Sequence, residues 1–386
     1  MKTNNQRLLA LDVLRGITIS GMILVNDPGS GRSVYTPLEH ASWSGLTPTD
    51  LVFPFFMFIM GISTYISLRK YRFEYSRSAV WKIVRRTLVI FAIGLGLAWF
   101  SMFCGRWNSL ASENVSFLSR LGQSVWTFDH IRILGVLQRL ALSYGFAAII
   151  ALFLKHKYIP YLIISLLVAY TLILLFGNGY EYNETSILSI VDRAVLGIQH
   201  MYKDNGIEPE GLLSTIPSIA HVLIGFSVGK WLMDEIDIRE KLLRLFLLGT
   251  VITFLGFLLN YGLPINKKVW SPTFVLVTCG LASSFLALLI WIIDVKGYKK
   301  WSRFFEAFGI NPLFMYVVAA ILNTLLNSIH FTYNGETINL HGFAYKILLQ
   351  PVLGDYPASV AFAILFVCLV WVCGYTLYKK KIYIKI

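Results

Sequence analysis

Apolar and polar positions follow one another along this chain in long blocks. Ten apolar runs stand out, near 8–26, 51–68, 83–103, 131–154, 158–176, 213–232, 243–261, 273–293, 307–327 and 358–378. Each is close to the roughly 20 residues that a helix needs to cross a hydrocarbon layer about 30 Å thick. The pattern predicts an all-α, polytopic integral membrane protein with about ten transmembrane helices. The first run contains Asp12 and Arg15, and no small-residue cleavage site follows it. It is therefore expected to remain as a span and not to be removed as a signal peptide. Longer polar segments, about 27–50, 104–130, 177–212, 262–272 and 328–357, alternate with short basic loops. Neither an internal repeat nor a low-complexity stretch divides the chain, so residues 1–386 read as a single transmembrane domain.

Composition narrows the picture. Of 386 residues, 56% are hydrophobic and only 14% charged, where a soluble domain carries about 25% charged residues. That excludes an ordinary soluble globule and a disordered chain. The four cysteines lie in or beside apolar runs without CxxC or HExxH spacing, so neither a disulfide framework nor a metal site is expected. The net charge of +13 would suit nucleic acid, but its placement points to a membrane instead. With the N-terminus inside, 24 of the 34 Lys and Arg fall in cytoplasmic segments, nine fall outside and Arg139 lies within a span. The positive-inside rule then puts both termini in the cytoplasm and the five longer segments outside.

Charges within spans are costly and are candidates for function. Arg139 lies within the fourth run, where it either snorkels or pairs with a neighbouring helix, or contacts a substrate phosphate or carboxylate. Asp12 and Arg15 are three residues apart on one helical face and can pair with each other or serve a ligand. His221, in the sixth run, reads first as a hydrogen-bonded packing residue.

The densest polar cluster lies between the first two spans. Asn26 and Asp27 end the first, Pro28, Gly29 and Gly31 form a turn, and Thr47, Pro48 and Asp50 have the pattern of an N-cap, N1 and N3. His40 sits among Leu38, Ala41 and Trp43 and can serve as a neutral base. Asp50 can cap the helix, orient His40 through its second ring nitrogen, or both. Asn26 can donate a hydrogen bond to a developing oxyanion.

Several runs are similar to the heparan-alpha-glucosaminide N-acetyltransferase family, including its bacterial members. They are RLLALDVLRGI at 7–17, HASWSGLTPTDLVFPFFMFIMG at 40–61, IRILGVLQRLALSY at 131–144, EPEGLLSTIPSI at 208–219, LPINKKVWSPTF at 263–274, IIDVKG at 292–297 and the closing YKKKIYIKI. The resemblance implies a transmembrane acyltransferase domain that moves an acetyl group from cytoplasmic acetyl-CoA to the amine of a terminal glucosamine-type sugar on the external side. It places the active-site histidine on His40, as a base or as a carrier that is itself acetylated first, its acidic partner on Asp50 and the asparagine of the preceding helix on Asn26. The gap from Asn26 to His40 is about three residues longer than in animal lysosomal members, and Ser44 stands where those carry Asn. The resemblance also implies a homodimer and, through the bacterial members, an inner (plasma) membrane location.

The phosphates of CoA call for cations near the inner face. Arg7, Arg15, Arg85, Arg86 and Lys385, with Arg139 in the bundle, are the candidates, set against plain attraction to anionic lipid. Glu208, Glu210, Lys267 and Trp270 are candidates for an outer vestibule. There carboxylates can hold a cationic amino sugar and an indole can stack on a ring, or the same residues can serve as loop caps and an interfacial aromatic. The other functional class in view is a secondary transporter for sugars or amino sugars, with Arg139 and His221 on its path. Transporters favour repeats and broken helices at mid-membrane, whereas the Gly/Pro/His cluster here lies at a membrane face.

Overall fold

The computed structural model describes residues 8–113, 115–234 and 237–384. Each apolar run is helical. The central helices are α1 (Leu9–Asn26), α2 (Val52–Arg69), α5 (Val136–Phe153), α8 (Thr215–Asp234) and α10 (Pro272–Ile290). Around them stand α3 (Arg77–Ser109), α6 (Ile159–Phe176), α9 (Ile238–Leu259) and α15 (Asp355–Lys379). In the central helices, about 61–67% of the membrane-spanning window is buried by other helices, against 11–33% in the outer four. A helix that is apolar all round needs either protein or lipid on every face, so the outer four present their free faces to lipid.

Close backbone approach holds the centre together. A Cβ on Gly61 of α2 would lie 2.1 Å from the Val222 carbonyl of α8, and one on Gly225 would lie 2.1 Å from the Phe58 carbonyl. Only glycine permits this reciprocal contact, as in other small-residue helix crossings within membranes.

The ninth run departs from a single straight span. It divides into α11 (Arg303–Ile310) and α12 (Pro312–Ser328), which meet at 89°. Pro312 has no amide hydrogen to continue the ladder and disfavours helical backbone in the residue before it, which forces the break at Asn311. The described residues therefore hold nine unbroken helices able to cross a membrane, or ten crossings if the bent pair counts as one.

Three of the longer segments carry structure of their own. α4 (Phe117–Val125) follows α3, and α7 (Ile187–Leu196) lies between α6 and α8. An antiparallel hairpin, β1 (His330–Tyr333) with β2 (Glu336–Asn339), pairs His330 with Asn339. Its turn residues Asn334 and Gly335 both have positive φ, as a tight hairpin turn requires. Two short helical turns, α13 (Leu340–Gly342) and α14 (Gln350–Leu353), lead into α15.

Candidate active site

α1 ends at Asn26 and α2 begins beyond a 3-10 turn at Pro48–Leu51. The connecting segment folds back over the start of α2 because Asp50 gathers it. Asp50 Oδ2 accepts from the Thr47 amide at 3.1 Å, the Thr47 hydroxyl at 3.0 Å and the Ala41 amide at 3.1 Å. Its Oδ1 lies 2.7 Å from His40 Nδ1. The capping pattern and the histidine contact thus fall on the same carboxylate, which is fully buried. A carboxylate only accepts, so Nδ1 carries the proton and Nε2 keeps its lone pair. The imidazole is nearly half exposed.

A second segment supplies a cation. Lys267 Nζ lies 3.0 Å from His40 Nδ1 and 3.4 Å from Asp50 Oδ1. The turn that carries it is tightly bonded. The Asn266 amide donates to Ser271 Oγ and the Ser271 amide to the Asn266 carbonyl, both at 3.0 Å, and the Val269 amide donates to Asn266 Oδ1 at 3.2 Å. Tyr170 donates to the Val269 carbonyl at 2.6 Å. The Gly45 amide donates to the Ile265 carbonyl at 2.8 Å, tying this turn to the histidine segment. Burial pushes the Lys267 ammonium below its ordinary pKa, against the opposing pull of Asp50 and Glu210. Lys267 therefore stands beside the histidine and not apart in a vestibule.

Glu208 and Glu210 are committed elsewhere. Both accept from the Arg132 guanidinium, and Glu208 Oε2 also accepts from the Tyr202 amide at 2.7 Å. The paired carboxylates raise the pKa of Arg132 still further. Trp270 is buried, not open to a ligand. Its indole packs edge-on against Phe53 and Phe274, and the Arg139 guanidinium lies 4.9 Å from its centroid.

Asn26 and Asp27 face a different space. They line a cavity of about 350 Å3 with Arg132, Gln138, Tyr316 and Asn323. His40 is not on that wall. Glu210 is bonded to Arg132 of that wall, and its charge is felt at Lys267.

The basic residues expected to meet a phosphate have varied surroundings. Arg7 and Lys385 lie outside the described residues. Arg15 joins three helices, bonding Asp12 at 3.0 Å, Ser63 at 2.8 Å and the Gly309 carbonyl at 3.2 Å. Arg85 is exposed, and Arg86 lies over the Tyr144 ring at 4.6 Å. Arg139 is sealed in the bundle, donating to Ser214 and, at 3.5 Å, to the Gly211 carbonyl. His221 is equally sealed, with Nε2 donating to the Pro54 carbonyl at 2.9 Å. Among the described residues, no group of three or more His, Cys, Asp or Glu is placed to hold a metal.

Sequence reasoning overlooked Arg132 as a site residue and treated Asp27 only as the end of a helix. Arg132 sits in IRILGVLQRL, and the acidic pair it binds lies in EPEG, but nothing in either run announces the other.

A family model described as heparan-alpha-glucosaminide N-acetyltransferase, catalytic, matches residues 7–257. The mouse heparan-alpha-glucosaminide N-acetyltransferase is 28% identical over an alignment covering all of this chain and 61% of the mouse protein. Its human counterpart is 29% identical over 81% of this chain and 52% of the human protein. The chain thus matches between about half and three-fifths of the length of these curated relatives. With the family model spanning well over half its residues, this chain belongs to the heparan-alpha-glucosaminide N-acetyltransferase family.

Proposed function

We propose that the protein is a transmembrane acetyltransferase that moves the acetyl group of acetyl-CoA onto the amine of a glucosamine-type sugar, with His40 as the base. The observation that carries this reading is the 2.7 Å contact between His40 Nδ1 and an Asp50 carboxylate that three other donors already fix in place. That arrangement sets the tautomer and keeps the Nε2 lone pair available for a proton, with Lys267 Nζ 3.5 Å from it.

An amine attacks a thioester only if its proton has somewhere to go. His40 Nε2 accepts it as the N–C bond forms and the C–S bond breaks. The CoA thiolate leaves and is protonated, and Asp50 stabilises the imidazolium until the ring returns its proton. Asn26 lines the neighbouring cavity, so its proposed role as hydrogen-bond donor to the developing oxyanion requires the thioester to reach from that cavity to His40. Direct transfer needs nothing more from His40 than basicity, so no acetyl-enzyme is expected to accumulate.

The charge bias supports a reading with the His40 end outside and the opposite end in the cytoplasm. At that opposite end, Lys379 and Lys381 line a cavity of about 350 Å3 with Asp12, Glu306, Tyr378 and Tyr383. These lysines suit the phosphates of CoA as it enters from the cytoplasm. The family's bacterial members support an inner-membrane location.

The test uses purified full-length protein with acetyl-labelled acetyl-CoA and glucosamine. Label should appear in N-acetylglucosamine with the wild type and be lost with His40→Ala. Undiminished transfer by the variant would overturn the role of the histidine. Uptake of sugar into sealed vesicles without acetyl-CoA, in the absence of transfer, would replace the enzyme with a transporter.

A further inference from the structure

The carboxylates expected to receive a cationic amino sugar, Glu208 and Glu210, share the single Arg132 guanidinium and are held by it. The wall of the neighbouring cavity offers another. Asp27, only 9% exposed, lines the 350 Å3 space enclosed by α1, α3, α5 and α12. Its side chain hydrogen-bonds Asn323, and among the described residues no Lys or Arg forms an ion pair with it. A buried carboxylate without a cation is a costly arrangement, and here it faces open volume.

The rest of the wall suits a hydroxylated ring. Asn26, Gln138, Asn323 and Thr324 provide amide and hydroxyl groups, while Leu97 and Ala320 provide apolar faces. The volume falls within the ~300–1,000 Å3 usual for small-molecule sites. Glu210 is bonded to Arg132 on this wall and its charge is felt at Lys267 beside His40, so the cavity and the proposed base share one charged neighbourhood.

We infer that this cavity is the acceptor subsite and that Asp27 is the counter-ion for the ammonium group of a glucosamine-type ring, free or at the end of a glycan. The identity of the ligand rests on the function proposed above; the cavity and its unpaired carboxylate do not. Asp27 thereby selects the ammonium form over the acetylated product, which carries no charge; the ammonium gives one proton to the Asp27 carboxylate before the amine attacks and the other to His40 as the N–C bond forms, so acetylation itself releases the product.

Other titratable groups around Asp27 are Tyr316 on α12, Arg132 with its two glutamates, and His341, whose ring donates to the Pro28 carbonyl at 3.3 Å. Burial raises the Asp27 pKa to about 7. Binding of the ammonium form should therefore strengthen as pH rises through that value.

The test measures binding of glucosamine and of N-acetylglucosamine to the full-length protein by calorimetry, without acetyl-CoA, between pH 6 and pH 8. The wild type should prefer glucosamine by about tenfold or more, as a charge-assisted contact would give. Asp27→Asn should lose that preference and its pH dependence. Ala320→Phe, which fills the cavity and leaves Asp27 in place, should weaken both sugars. An Asp27→Asn protein that keeps the preference, or an Ala320→Phe protein that binds normally, would overturn the inference. If the wild type shows the Asp27-dependent preference but transfers no acetyl group, the proposed function fails and the subsite stands.

Discussion

Two aspartates bracket the segment that joins α1 to α2, and they are used in opposite ways. Asp50 accepts from two amides, a hydroxyl and an imidazole, and Lys267 lies 3.4 Å away. Asp27 has a hydrogen bond from Asn323 and an open cavity. Both are buried, so burial alone does not distinguish a structural carboxylate from one held ready for a ligand. Saturation does. A carboxylate with every lone pair engaged can orient another group but has nothing left to offer a substrate. One with unused capacity is stabilised only when something else arrives.

Substitutions can break or sharpen this contrast. His40→Ala, which removes the ring that the saturated side exists to hold, should have the largest effect. It is expected to lower acetyl transfer by about 10²–10⁴-fold, the usual contribution of a general base, with thermal unfolding unchanged. Asp50→Asn should come next, because it disturbs both orientation and capping. Transfer should fall by about a hundredfold, and chemical unfolding should show a loss of about 1–2 kcal/mol. If Asp50→Asn retained full activity, the carboxylate would be a helix cap only.

Lys267→Met should reduce transfer by about tenfold, with Lys267→Arg retaining most of it, since either cation can balance the Asp50 charge. Equal losses in both variants would point to lysine-specific chemistry instead.

The smallest expected effect belongs to the unsaturated side and is read in stability. The Asp27 pKa is raised from the ordinary 3.8 to about 7, so the folded state holds a proton that the unfolded state releases. Its contribution is intact below pH 4 and is lost as pH rises toward 7. Asp27→Asn should therefore melt like the wild type near pH 4 and above it at pH 7–8, by no more than a few kcal/mol in stability. Added glucosamine should close that gap by stabilising the wild type alone. If the two proteins melted alike across the whole range, Asp27 would not be a strained carboxylate.

The sequence determined the helices, because apolar length is a local property and the bilayer leaves few alternatives. Even the break in the ninth run was written there as Pro312, though the run's continuous apolarity concealed it. The sequence also joined His40 to Asp50, which are ten residues apart and linked by a capping pattern that short-range rules can read. Only the tertiary structure could bring Lys267 to His40 across 227 residues, give Glu208 and Glu210 to Arg132, seal Arg139 and Trp270 against each other, and leave Asp27 facing a cavity. Those outcomes depend on which helix faces meet and how closely. Glycines such as Gly61 and Gly225 set that closeness through backbone contacts between segments far apart in the chain.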